Sequence, residues 1–159
     1  MPHFTPAHHV LSLTAGTPMP YRAAPGQPVT VVTLSGHNNP ATGPIHLETV
    51  QTGDWVAIVI DDIVPIGQGH VGPTVYDYRD GRCWFPDGRS VPLNPNIGVL
   101  GGLPAAGATH NGTCGPHGGN WDCGDHGPGA VAFLRAQCDG AGLAFGDVHW
   151  AMGDRKSVV

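Results

Sequence analysis

Glycine and proline punctuate this chain at short intervals, and no segment carries a long clean helical period, so few helices are expected. The 159 residues include 25 glycines and 16 prolines. In a helix interior glycine costs about 1 kcal/mol and proline about 3 kcal/mol relative to alanine. What lies between the interruptions is short and apolar. Val29–Leu34 (VTVVTL), Trp55–Val64 (WVAIVIDDIV), Asn96–Leu100 (NIGVL), Val131–Cys138 (VAFLRAQC) and Leu143–Phe145 read as strands. Ile45–Val50 (IHLETV) alternates apolar with polar residues and reads as a half-buried strand. RDGR (79–82) and PDGR (86–89) read as hairpin turns. Many short strands with Gly/Pro turns mean a mainly β chain. A 40% apolar content and a net charge of only −5 argue against disorder. Residues 1–25 are proline-rich and are expected to form an irregular arm. Ser35–Pro44 reads as a loop, as does the glycine-dense Gly101–Gly129. The length fits a single domain over residues 1–159.

Composition also excludes several function classes. Only seven residues are Lys or Arg and they form no cluster, so there is no basic face for nucleic acid. The longest apolar run, Trp55–Ile60, is too short to span a bilayer. The segment MPHFTPAHHV lacks a basic region followed by an apolar stretch, so no secretory signal is visible. The four cysteines are therefore expected to be free thiols in a reducing cytoplasm. Ten histidines turn attention to metal or proton chemistry.

Four stretches can carry that chemistry. In GGNWDC, Asn120 and Asp122 are two apart, so their oxygens can converge from an extended segment, and His117 adds a nitrogen. Such a set suits calcium, manganese or zinc. A glycine-rich turn whose Asn and Asp cap local backbone is the competing reading. In GDVHWAMGD, Asp147 and His149 are again two apart, with Asp154 beyond. That pair can hold a metal, or the carboxylate can orient a histidine base. A turn aspartate beside a partly buried histidine explains it equally. In GHNNPATGPIHLETV, Asn38, Asn39 and Thr42 crowd a loop that feeds a strand. Glu48 falls on the strand face opposite Ile45 and Leu47, either a rigidly held carboxylate or a solvent-facing one. Finally, Cys114-x2-His117 and Cys123-x2-His126 have the spacing of a structural zinc site. No G-x-S-x-G elbow and no phosphate-loop lysine is present, and no spacing selects a partner cysteine for His37.

Taken in order, these motifs resemble the acetamidase/formamidase family. The NP-x-TGP-I segment and following Glu appear as NPATGPIHLETVQTGD, the P-x-IGV piece as PNIGV, HGGN-x-D as His117–Asp122, and GD-x-H as Gly146, Asp147 and His149. The resemblance runs from about Asn38 to Asp154 and weakens through Ile66–Leu93. It implies a two-sheet β-sandwich with a smaller α/β portion. It implies hydrolysis of short linear amides, of the formamide or acetamide kind, to ammonia and a carboxylate. It implies a divalent metal, zinc or calcium first and manganese next, on His117, Asn120, Asp122, Asp147 and His149. Glu48, Asp147 and His149 are the expected catalytic residues. Asn39, Thr42 and Gly119 are expected to line a substrate pocket only a few atoms wide. Two departures stand out. The family's GDGE is here GDRK, with Arg155 and Lys156 in place of a glycine and a carboxylate. The sequence also stops at Val159, where family members continue. Strand edges exposed in this way invite pairing, so a homo-oligomer is expected. A non-catalytic β-sandwich binding module and a zinc-stabilised structural domain are the competing functions.

Overall fold

A computed structural model describes residues 1–34 and 38–152. Among these residues there is no helix, and seventeen strands follow in chain order. They are β1 (His3–Phe4), β2 (His9–Val10), β3 (Ser12–Thr14), β4 (Tyr21–Ala23), β5 (Thr30–Val31), β6 (Ala41–Leu47), β7 (Trp55–Val59), β8 (Gly69–Val71) and β9 (Thr74–Arg79). There follow β10 (Arg82–Trp84), β11 (Ser90–Pro92), β12 (Asn96–Gly101), β13 (Ala108–His110), β14 (Cys114–Gly115), β15 (Gly118–Asn120), β16 (Val131–Arg135) and β17 (Leu143–His149). The mainly β reading holds. The α/β portion that the family resemblance implied is absent from the described residues. The reason is local: the two longest stretches free of glycine and proline, 54–64 and 130–139, are rich in Val, Ile, Trp and Phe and pair with each other as β7 and β16.

The main sheet has seven strands in the order β14-β15-β12-β17-β6-β2, with β4 joined parallel to β6. Strand alternation makes it apolar on both faces. From β17, Leu143 and Phe145 enter one core cluster while Ala144 enters the other; from β12, Leu100 and Val99 divide the same way. The first face is covered by the β7–β16 ribbon through Val56, Ala132 and Leu134. The second is closed by Leu13 of β3, which is fully buried against Val99, Leu103 and Ala144. A separate antiparallel meander, β11-β10-β9-β8, stands beside the end of β17. Its Asp80-Gly81 turn has φ of +54° and +69°, the two positive values that a tight two-residue hairpin requires.

Strand boundaries differ from the sequence reading in instructive ways. Residues 1–25, expected to run irregularly, contribute β1 to β4. The expected loop Ser35–Pro44 gives up Ala41–Pro44, which is buried and belongs to β6. Gly43 permits this: a Cβ there would sit 2.6 Å from the carbonyl oxygen of Leu143 in β17. β6 ends at Leu47 because the chain turns at Thr49, whose φ is +65°. The stretch Gly101–Gly129 is not structureless but contains β13, β14 and β15. No helix among the described residues is long and apolar enough to cross a membrane.

Candidate metal centre

Three side chains converge at the end of β17. Ligand atoms of Asp122, Asp147 and His149 all lie within 4.8 Å of one another. His149 Nε2 is 3.4 Å from Asp147 Oδ2 and 3.7 Å from Asp122 Oδ1. Asp122 is buried at 4% exposure; the other two are half-buried. Two separate pieces of backbone make this meeting. Asp147 and His149 sit at the end of β17, where Asn96 of β12 pairs with His149. Asp122 follows β15 and is drawn to β12 because the amides of Trp121 and Asp122 both donate to Gly98 O, at 2.9 and 3.2 Å. Gly98 leaves the room the cluster needs. A Cβ there would stand 2.6 Å from Asp147 O, 2.8 Å from Asp147 Oδ2 and 2.9 Å from His149 Cε1. Both aspartates hold left-handed backbone, with φ of +42° at Asp122 and +48° at Asp147. Such conformations are sparsely populated and concentrate at functional sites.

Neighbouring amides set the chemistry of the three. Asn96 has no exposed surface; its Nδ2 donates to Asn94 O at 3.1 Å, which leaves Oδ1 as the acceptor for His149 Nδ1–H at 2.9 Å. A neutral imidazole here carries its proton on Nδ1, which leaves Nε2, the atom facing the carboxylates, available to a cation, the tautomer a metal ligand requires. Asn120 Nδ2 donates to Asp122 Oδ2 at 3.1 Å, holding that carboxylate in place. Its own Oδ1 is buried without a hydrogen-bond partner among the described residues. Two carboxylates and one imidazole nitrogen form a donor set that fits a divalent cation.

The other expected site residues lie elsewhere. His117 is buried in the β14–β15 turn, outside the three-residue group, and burial pushes its pKa down. Cys114 is exposed and Cys123 half-buried. Among the described residues, no three of Cys114, His117, Cys123 and His126 gather closely enough to bind a metal. The spacing that pointed to a structural zinc site is broken by the β14–β15 hairpin, which sets Cys114 opposite Gly119. All four cysteines are free. Glu48 is exposed in the turn after β6. β6 and β17 run antiparallel with Ala41 beside Gly146, so Glu48 lies at the far end of the strand pair, about 25 Å from Asp147 at roughly 3.3 Å per residue. Asn39 accepts from Asn111 Nδ2 at 2.8 Å, and Thr42, fully buried, donates to Val32 O at 2.7 Å. Gly119, at φ +114°, allows close packing against Thr113 O. His37, Asp154, Arg155 and Lys156 lie outside the described residues.

A cleft of about 830 Å³ opens between the meander and the end of β17. Asp147 and His149 line it together with Trp150, Tyr76, Phe85, Val91 and Ile66; Asn39, Thr42 and Gly119 do not. Sequence reasoning missed Asn96, Gly98 and this wall. Asn96 did carry a signal, since a polar residue inside an apolar strand needs a buried partner.

No family profile and no curated protein matches the chain. Solved structures do. An acetamidase from Bacillus halodurans is 28% identical with a TM-score of 0.85, over 96% of this chain and 63% of that one. A protein described as a predicted acetamidase/formamidase, from the thermophile Thermoanaerobacter tengcongensis, is 27% identical with a TM-score of 0.88, over 96% and 62%. The chain shares the fold of these acetamidase/formamidase structures. An acetamidase from Yersinia enterocolitica, at 22% identity and a TM-score of 0.84 over 96% of this chain and 61% of that one, shares the same acetamidase/formamidase fold. The chain spans somewhat over three-fifths of the length of these structures.

Proposed function

We propose that this chain carries a metal-assisted site for hydrolysing the C–N bond of amides, releasing ammonia and a carboxylate. The convergence of Asp122, Asp147 and His149, the last two of which line a cleft, is the observation that carries the reading. The likeness to acetamidases and formamidases supports the choice of amides over other carbonyl substrates. Asp122, Asp147 and His149 would hold the cation. A bound divalent ion, zinc or calcium by the donor set and manganese next, would polarise the amide carbonyl and lower the pKa of water.

The chain's own residues divide the remaining work. Asp122, buried and held by Asn120, is a carboxyl group fixed in position. His149, held by Asn96, directs Nε2 toward the carboxylates. Asp147 and His149 both belong to the cluster and line the cleft; with Nδ1 of His149 held by Asn96 and its Nε2 turned toward the cation site, Asp147 is the group placed to take the water's proton and return it to the departing nitrogen. The measurement is ammonia release from primary amides by protein loaded with zinc, manganese or calcium. Turnover should vanish with chelator and fall by at least about 100-fold in Asp147→Asn, the size typical of general acid–base catalysis. Folded, metal-bound protein that releases no ammonia from any amide would favour the binding-module reading.

We also infer that the chain self-associates. The outward face of the β7–β16 ribbon leaves Trp55 70%, Phe133 62%, Val59 60% and Val131 47% exposed. Val59 is paired with Val131, so these side chains form a contiguous apolar face of the kind that marks an interface.

A further inference from the structure

The cleft is far too large for the substrate that the family resemblance implies. Acetamide has four heavy atoms and fills on the order of 100 Å³ if each occupies about the 30 Å³ share of a water molecule. The cleft offers about 830 Å³ and opens broadly to solvent, room for a ligand much larger than acetamide along its lining. Its walls differ in character. The reactive groups Asp147 and His149 stand on one side. The meander supplies an apolar part of the lining, where Tyr76 and Phe85 pack edge to face with ring centroids 5.0 Å apart, together with Val91. Trp150 follows His149 directly and is backed by Gly69, where a Cβ would stand 3.1 Å from the indole ring. Ile66, also on the wall, is 64% exposed. One methyl group from acetamide cannot cover this apolar surface.

We propose that the site acts on primary amides bearing a bulky apolar acyl group, of the arylacetamide class. The carboxamide sits at Asp147 and His149, and the aryl group lies against Tyr76, Phe85 and Val91. This rests on the amide-hydrolase reading above and names the substrate class of that site. The step balances with water alone. The C–N bond breaks, a C–O bond forms from water, and the water's proton leaves with the nitrogen as ammonia. Each methylene buried in an apolar pocket is worth about 10-fold or more in kcat/KM. An aryl ring should therefore raise kcat/KM by about 100-fold over acetamide, even after losses to imperfect fit.

The test compares kcat/KM for acetamide and phenylacetamide in the metal-loaded protein and in Phe85→Ala and Phe85→Leu. Phenylacetamide should be preferred by about 10-fold to 100-fold, and Phe85→Ala should cut that preference by at least about 10-fold, with Phe85→Leu between. The leucine variant guards against a folding defect in the alanine one. Equal or better hydrolysis of acetamide overturns the substrate class and leaves the amidase reading intact. Hydrolysis of neither amide sinks the amidase reading, and the cleft is then judged by phenylacetamide binding followed through NMR shifts. Saturable binding weakened by Phe85→Ala upholds the apolar ligand class, and no binding overturns it.

Discussion

Replacing Asn96 tests whether the arrangement of His149 is built in or incidental. Asn96 is fully buried and serves two neighbours: Oδ1 accepts from His149 Nδ1–H at 2.9 Å and Nδ2 donates to Asn94 O at 3.1 Å. Asn96→Leu keeps the volume and removes both bonds. Each buried group left without a partner costs about 1–3 kcal/mol, so the variant should melt several degrees lower yet fold. The larger effect falls on the metal site. Without an acceptor at Nδ1 the imidazole proton is free to move to Nε2, the atom that faces the carboxylates. Removing such a supporting partner typically costs about 10-fold to 100-fold in metal affinity. Asn96→Asp retains an acceptor and should bind the metal more tightly than Asn96→Leu. The assay is calorimetric titration with zinc alone, together with nitrogen-15 NMR of the His149 ring to read which nitrogen is protonated. A folded Asn96→Leu protein with unchanged zinc affinity and an unchanged Nδ1–H tautomer would refute the reasoning.

Gly98→Ala places a methyl 2.6 Å from Asp147 O and should weaken zinc binding by more than about 10-fold, because the new atom pushes two ligands apart; unaltered affinity would show that the cluster does not depend on that close approach. Cys114→Ser and Cys123→Ser should leave both fold and zinc binding intact by circular dichroism and titration, and unfolding would restore the structural-zinc reading. His117 is a pH-sensitive point. Burial lowers its pKa below the usual 6.5, so the unfolded chain binds the proton more readily. Stability from this source is complete above about pH 6.5 and falls as the solution is acidified toward the lowered value. Denaturant titrations of His117→Gln should show a shallower loss of stability below pH 6.5, and an identical pH slope would remove His117 from the account. Trp55→Glu with Phe133→Glu should convert an assembled protein to monomer in analytical ultracentrifugation, and an unchanged sedimentation coefficient would place the interface elsewhere.

What the sequence conveyed about this molecule depended on range. Asp147 and His149 were legible together because they lie two residues apart at the end of one strand, although the left-handed backbone at Asp147 departs from regular strand alternation. Asp122 was legible as a ligand type, but its meeting with them depends on two amides from the β15 end reaching Gly98 O of β12, a contact with no local sequence signal. Glu48 shows the converse. Alternation says which face of a strand a carboxylate occupies, not which end of the sheet it reaches, and antiparallel pairing of β6 with β17 carries it away from the cluster. The Cys-x2-His pairs failed for a similar reason, since ligand spacing presumes a particular turn and this chain uses it for a glycine hairpin. The meander was recognisable by its DG turns, yet nothing in residues 65–93 tells where its apolar face comes to rest. That placement is what enlarges the pocket beyond a few atoms. The Asp122–Asp147–His149 cluster is therefore fixed by short-range pattern and β-pairing within the main sheet, while the apolar lining of the cleft, which the proposal above makes the determinant of substrate, comes from a separate sheet. A chain organised in this way can change what it accepts by altering Tyr76, Phe85 or Val91 without disturbing Asp122, Asp147 or His149.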